Sequence, residues 1–550
     1  MTTIVARAPQ ANAQRGHRSP HLPRTIHLVS LAAIGCFLLI HLRGQWFWWD
    51  EFEYLGSTRS AYGGWENLLR PHNEHWSALT GLTYAALRGT VGLGSYWPYL
   101  LPVLAVHLLA AHLLWRVMIR LRANPWIATG LTALFALGGA GYENLAWAFQ
   151  LAFVASTACG LASVLILLGQ GPLSKFHRAV LILLTTINLA VSGVGLVWLA
   201  ICGLLLLRRD TTIVAAATLA VPASVYLVWS FWFAAGTAGR TIDGWAFMAT
   251  MLEFVLVGLI ATGFRLVGME PQQTTWGLCI ALAVAMAVLA AGWACARSAD
   301  RPTRQAAWLA LFAPAFFLVA SLARVKGVDG VATAVASRYY YVVLVSILPL
   351  AAVQLTNLAQ RGRRLVVPIV LGLCLLALSA GNTFINGADR WRRDSEDLHR
   401  TLLAEMDLLE SGATVFPENP PEPLRSPEYL TQADLRRWTE TGEIEPLPLT
   451  DVDRTTAAAI LQIQIRPAVA PSVAGCGEGS VIVAGGGPGV TLDVRKEGLV
   501  ALSLTDNVGA PSRPRYEVLT PGTYTVSSLV DGSLRLIEPV DAAGFCRPAG

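Results

Sequence analysis

Trp46-Phe47-Trp48-Trp49-Asp50-Glu51-Phe52-Glu53-Tyr54, continued by Arg70-Pro71-His72-Asn73-Glu74-His75-Trp76, decides how the rest of the chain is read. It follows directly on the first long apolar run, Ile26–Leu42, so it begins where a membrane helix leaves the bilayer. Aromatic rings suit that boundary because they bury their faces and keep an N–H or O–H wet. Four carboxylates and two histidines in the same place do nothing for anchoring. Ionisable groups gathered at a membrane face mark a candidate functional site.

Working outward, the chain of 550 residues is 54% hydrophobic and only 14% charged, against roughly 25% charged in soluble domains. The shortage is confined to residues 26–383; from 384 onward charges are plentiful and the long apolar runs stop. The expected organisation is therefore a cytoplasmic tail (1–25), a transmembrane domain (26–383, with 43–97 as its first external loop), a helical and linker region (384–475) and a small β-sandwich (476–550). Arg120, Arg122, Lys175, Arg178, Arg208, Arg209, Arg297, Arg301, Arg304, Arg361, Arg363 and Arg364 occupy short loops between apolar segments. That is the positive-inside pattern of a multi-pass plasma-membrane protein. The net charge of +5 is used up in those loops, and no basic stripe remains for nucleic acid.

Counting apolar segments gives about eleven crossings, with the N-terminus cytoplasmic and the C-terminal region outside. Ala179–Leu207 is expected to break at Ser192-Gly193-Val194-Gly195 into two short helices, and Trp245–Val267, with Glu253 and Arg265, to be re-entrant or interfacial. Further spans are expected near 275–296, 305–325, 340–358 and 365–383, and Ser77–Leu93 reads as an interfacial helix. Beyond Cys476, short alternating runs separated by Gly, Pro and Asp-Gly read as antiparallel strands. An extracytoplasmic setting makes a Cys476–Cys546 disulfide plausible there.

The candidate catalytic groups are Asp50, Glu51 and Glu143, the last in the second external loop, Gly139–Asn144. Asp50 is placed to take a proton from a hydroxyl nucleophile. His72, Glu74 and His75 are candidate substrate ligands; with Asp50, His72 and His75 also offer a metal donor set for a divalent cation such as Mg, Mn or Ca, although the spacing is not that of a zincin. Arg338 and Tyr339 open a late span, where a guanidinium either snorkels or grips a lipid phosphate.

An acidic pair directly after the first helix (Asp50-Glu51), a long first external loop, an acid in the second loop (Glu143) and an Arg-Tyr pair at a late helix start (Arg338-Tyr339) resemble the GT-C class of polytopic glycosyltransferases, including the protein O-mannosyltransferases and aminoarabinose transferases. The likeness covers residues 26–383. It implies a GT-C-like fold, a polyprenyl-phosphate sugar as donor, a first-loop Asp as base, and a glycan, lipid or protein acceptor outside the membrane. A transporter, or a structural envelope protein, is the competing reading; Gly193–Gly195 and Glu253 are the features that favour a transporter.

Overall fold

The computed structural model describes residues 21–56, 66–72, 75–169, 171–234, 244–266, 292, 294–295, 297–325, 330–423, 429–468, 473–477, 480–487, 489–495, 498–538 and 543–548. Glu74, most of the span expected at 275–296 and nearly all of the N-terminal tail lie outside them.

The apolar runs fold as helices because hydrocarbon offers no partner for a bare peptide group, and a helix satisfies its own. In order they are α1 (His21–His41), α2 (Glu51–Leu55), α3 (Glu66–Leu69), α4 (Ala78–Val91), α5 (Trp97–Arg120), α6 (Pro125–Ala136), α7 (Glu143–Ala146), α8 (Leu151–Leu167) and α9 (Lys175–Val191). Then come α10 (Val194–Leu206), α11 (Thr212–Trp229), α12 (Gly244–Leu266), α13 (Arg301–Ala310), α14 (Phe312–Arg324), α15 (Ser337–Arg361) and α16 (Val366–Glu410). Among the described residues eight helices are long and apolar enough to cross a membrane, and Pro125–Gly141 and Val194–Leu206 are shorter apolar helices. The architecture is a polytopic helical membrane protein carrying a C-terminal β-region.

Several of these helices are started by a polar cap on one end of the bundle. Asn124, Ser174, Thr211 and Asp300 each accept a hydrogen bond from a first-turn backbone N–H. The arginines gather at the same end. Arg209 donates to the carbonyls of Ile166 and Gly171, Arg301 to that of Gly169, and Arg208 lies 4.9 Å over Trp308. Inside the bundle, backbones approach closely where glycine permits. A Cβ on Gly160 of α8 would sit 2.2 Å from the Trp198 ring of α10.

Three regions refine or change these expectations. The span at 365–383 and the charged helical stretch after it are one unbroken helix, α16, of 45 residues and roughly 68 Å. Its first half exposes Leu371, Leu375 and Leu378, as lipid-facing residues do, while its second half buries Leu398 and Leu402 against protein. Gly381 and Gly387 fall between the two halves, yet both stay in continuous helix and no proline follows them there, so nothing ends the helix at the membrane boundary. Second, α12 is long enough to cross, yet Phe254 meets Tyr339, Gly258 packs on Phe317 and Arg265 lies over Tyr340. These contacts cluster near the start of α15, which suits a helix lying along that end of the bundle. Third, the β-region begins at Ile463, earlier than Cys476, because a strand at Ile463–Pro467 completes its larger sheet.

After the capped helices α17 (Gln432–Thr441) and α18 (Asp451–Leu461), β3 (Ile463–Pro467) leads into β4 (Val473–Gly477), β5 (Ser480–Val483), β6 (Val490–Val494) and β7 (Gly498–Thr505). β8 (Arg515–Leu519), β9 (Gly522–Ser528), β10 (Gly532–Glu538) and β11 (Ala543–Pro548) complete it. The strands form an antiparallel sheet in the order β5-β10-β7-β8 and a second in the order β3-β9-β6-β11-β4. Leu492, Val500, Leu502, Val526 and Leu534 are buried in one core, the alternation the sequence suggested. The β4–β11 register sets Cys476 opposite Cys546.

Candidate active site

The first loop is pinned from two sides, and the pinning determines where Asp50 sits. Gln45 donates through Nε2 to the Ala388 carbonyl (2.9 Å), the Trp46 N–H donates to the Ser395 hydroxyl (3.3 Å), and the Trp46 ring stacks on His399 at 4.0 Å. All three partners lie on the emergent half of α16. From the second loop, the Trp147 indole N–H donates to the Trp48 carbonyl at 3.2 Å. Trp49, one residue before Asp50, is held at φ 44°. That left-handed conformation costs a bulky L-residue about 1–2 kcal/mol and persists because both flanks are fixed.

The acids then separate by helical geometry. Asp50 caps α2 and Glu53 lies one turn on, so the two share a side, while Glu51 points inward. Glu51 is fully buried. Its carboxylate accepts from the Tyr84 hydroxyl, the Tyr96 hydroxyl (2.8 Å) and the Trp48 N–H (2.6 Å). Burial pushes its pKa up to about 8, with the Tyr84 and Tyr96 hydrogen bonds pulling the other way. This surrounds Glu51 with protein donors and makes it the loop's internal anchor.

His72 comes from the hairpin of β1 (Pro71–His72) and β2 (His75–Trp76). Its Nδ1 bonds the Glu53 carboxylate and its Nε2 lies 3.5 Å from Asp50 Oδ2. Burial alone would lower its pKa, but the hydrogen bonds to Asp50 and Glu53 outweigh it and raise the value to about 9. His72 is thus an imidazolium bridging two carboxylates at neutral pH. Asp50 remains the accessible member, 26% exposed against 9% for Glu53 and 2% for His72.

The second loop and the start of α15 supply the other wall. Arg338 Nη1 meets Glu143 Oε2 at 3.1 Å; the Glu143 N–H donates to the Ser337 hydroxyl, and the Ser337 N–H to Glu143 Oε1. Tyr339 is buried against Phe316 and carries Arg338 over its ring at 5.4 Å, so it supports the guanidinium from below. The Trp147–Trp48 hydrogen bond ties this wall to the first loop. Asp50, His72, Glu143 and Arg338, chosen from residues far apart in sequence, therefore meet at one end of the bundle.

The proposed metal set does not converge. Both nitrogens of His72 face carboxylates, Nδ1 towards Glu53 and Nε2 towards Asp50. His75 lies with its ring against Gly193. Among the described residues no three His, Cys, Asp or Glu side chains are placed to hold a metal ion. Glu53, by contrast, is more central than its place in the sequence argument suggested, and its i+3 spacing from Asp50 was the available signal. Tyr84, Tyr96 and Trp391, whose ring packs on Trp48 and Trp147, had no signal in the sequence.

No family model matches this chain, and no curated protein matches it. Among solved structures, it is similar to ArnT from Cupriavidus metallidurans bound to undecaprenyl phosphate. The two share 13% identity over 80% of this chain and 88% of that one, with a TM-score of 0.44. A likeness at that level carries no functional conclusion.

Proposed function

We propose that this protein is a membrane glycosyltransferase that moves a sugar from a polyprenyl-phosphate donor to an extracytoplasmic hydroxyl acceptor. The observation that carries the reading is that a positioned and accessible carboxylate (Asp50) and a braced arginine (Arg338) lie at the same end of an apolar helix bundle, their loops tied by the Trp147–Trp48 hydrogen bond. A donor with a polyprenyl tail enters from the bilayer, so its phosphate arrives at the membrane face, where a guanidinium can bind it bidentately. Asp50 takes the acceptor hydroxyl proton as the oxygen attacks the anomeric carbon. The bond from that carbon to the phosphate oxygen breaks, and the lipid phosphate leaves with the electron pair beside Arg338. Glu143 orients the guanidinium, and the His72 imidazolium holds Asp50 and Glu53 apart in fixed positions. Glu51 keeps the loop in shape from inside.

The sidedness follows from the arginines. They collect at the end opposite Asp50, and basic loops stay cytoplasmic; the site then faces outward, with the β-region on its side. The transporter reading loses its main support. The helix break at Ser192-Gly193 lies against His75 of the first external loop, whereas transporter sites sit at interrupted helices near the midplane.

The test is Asp50→Asn in purified protein supplied with undecaprenyl-phosphate-linked sugar and an envelope extract as acceptor. Transfer should fall on the order of 10²-fold or more with the protein still folded. Undiminished transfer by the variant removes Asp50 as base.

A further inference from the structure

At the end of the bundle away from the site, α5, α8 and α9 enclose a groove of about 940 Å³. Arg116, Arg120, His177 and Arg209 stand around its mouth, and no carboxylate lines it among the described residues. The nearby acid, Asp210, pairs with Arg178 at 3.2 Å. Arg209 is fixed in place, its guanidinium donating to the carbonyls of Ile166, at the end of α8, and of Gly171 in the loop beyond.

All three helices share one polarity along the groove. On α5 the cations Arg116 and Arg120 follow Leu113; on α9 His177 precedes Val180 and Leu184. At 1.5 Å per residue, Leu184 lies roughly 10 Å deeper than His177. The wall contributed by α8 is likewise apolar at depth, with Leu165, and ends at Gly169 by the mouth. A basic rim above an apolar cleft of that depth matches one molecular shape, a phosphate headgroup with the first carbons of its acyl chains.

We infer that this groove binds an anionic phospholipid of the leaflet opposite the active site. The inference depends on the bundle spanning a membrane and is independent of the chemistry at Asp50. The bound lipid ties α5, α8 and α9 together, and α5 and α8 both run back to the site through Tyr96 and Trp147 at their far ends.

The test uses the full-length protein in nanodiscs of equal parts phosphatidylglycerol and phosphatidylcholine, with lipids retained after delipidation counted by native mass spectrometry. The wild type should keep phosphatidylglycerol in preference, and Arg116→Gln/Arg120→Gln should lower that retention on the order of tenfold. Arg361→Gln/Arg364→Gln, basic but outside the groove, should retain as the wild type does. Val180→Trp, which fills the apolar wall and leaves every charge in place, should also lose the lipid. Equal retention of the two lipids by the wild type would overturn the assignment. So would a loss in the Arg361/Arg364 variant equal to that in Arg116/Arg120, which would make the effect a property of the whole basic face. Displacement of phosphatidylglycerol by millimolar inorganic phosphate would identify the groove as a free-anion site instead.

Discussion

Glu51 and His72 are two buried ionisable residues with opposite duties. Glu51 satisfies three donors inside the loop. Glu51→Ala leaves them buried without a partner, at about 1–3 kcal/mol each, so thermal unfolding should show a loss of roughly 3 kcal/mol or more. Glu51→Gln, which keeps the shape, should lose much less. Both groups have pKa values raised by folding, so the folded state binds more protons and stability falls with rising pH. For Glu51 the decline runs from about 4.5 to about 8; for His72 the contribution is complete below 6.5 and gone above about 9. Wild-type melting temperature should therefore keep dropping between pH 8 and 9, and His72→Gln should be flat there. A flat wild-type profile across that interval would mean His72 is neutral in the folded protein. Arg338→Lys keeps the charge and loses the fork, so the donor KM should rise about tenfold while Asp50-dependent proton transfer is untouched. The candidate residues Asp50, His72, Glu143 and Arg338 were visible in the sequence because charge is conspicuous in apolar text. Their partners Tyr84, Tyr96 and Trp147 were not, since an aromatic residue at a membrane boundary already has a sufficient reason to be there.

At the scale of elements, glycine decides how closely helices approach. Gly160 lets α8 lie on the Trp198 ring of α10, and Gly160→Leu should force the two apart and reduce the folded yield in detergent, while Gly263→Leu, with open space around it, should not. In the β-region the expected Cys476–Cys546 bridge acquires a register, since the two residues are paired across β4 and β11. If that region is exported, protein from an oxidising compartment should take up alkylating label at these positions only after reduction; labelling without reductant would show free thiols and speak against that location. Element boundaries were the least legible part of the sequence. The continuity of α16 is invisible to a hydropathy reading, because its apolar half faces lipid and its polar half faces protein, and the helix passes through both settings. The early start of the β-region was hidden similarly: Ile463–Pro467 is too short to be read as a strand until β9 is there to pair with it.

Across the whole molecule, charge is divided between two ends. One end carries the paired carboxylates, His72 and Arg338; the other carries the loop arginines and the groove they surround. The long α16 connects the bundle to the β-region and clasps the first loop through Ser395, Ala388 and His399. The general layout of the bundle was legible from hydropathy, and the convergence of the two loops was not, because it depends on α16 and on the Trp48–Trp147 contact. The account requires lipid-linked sugar to be consumed at the Asp50 end. The direct measurement is the rate at which purified protein in proteoliposomes, given undecaprenyl-phosphate-linked sugar and an envelope extract, releases undecaprenyl phosphate. Release by the wild type that drops on the order of 10²-fold or more in Asp50→Asn, with both proteins equally folded, is the predicted result; equal release by the two, or none from the wild type with any lipid-linked sugar, would contradict it.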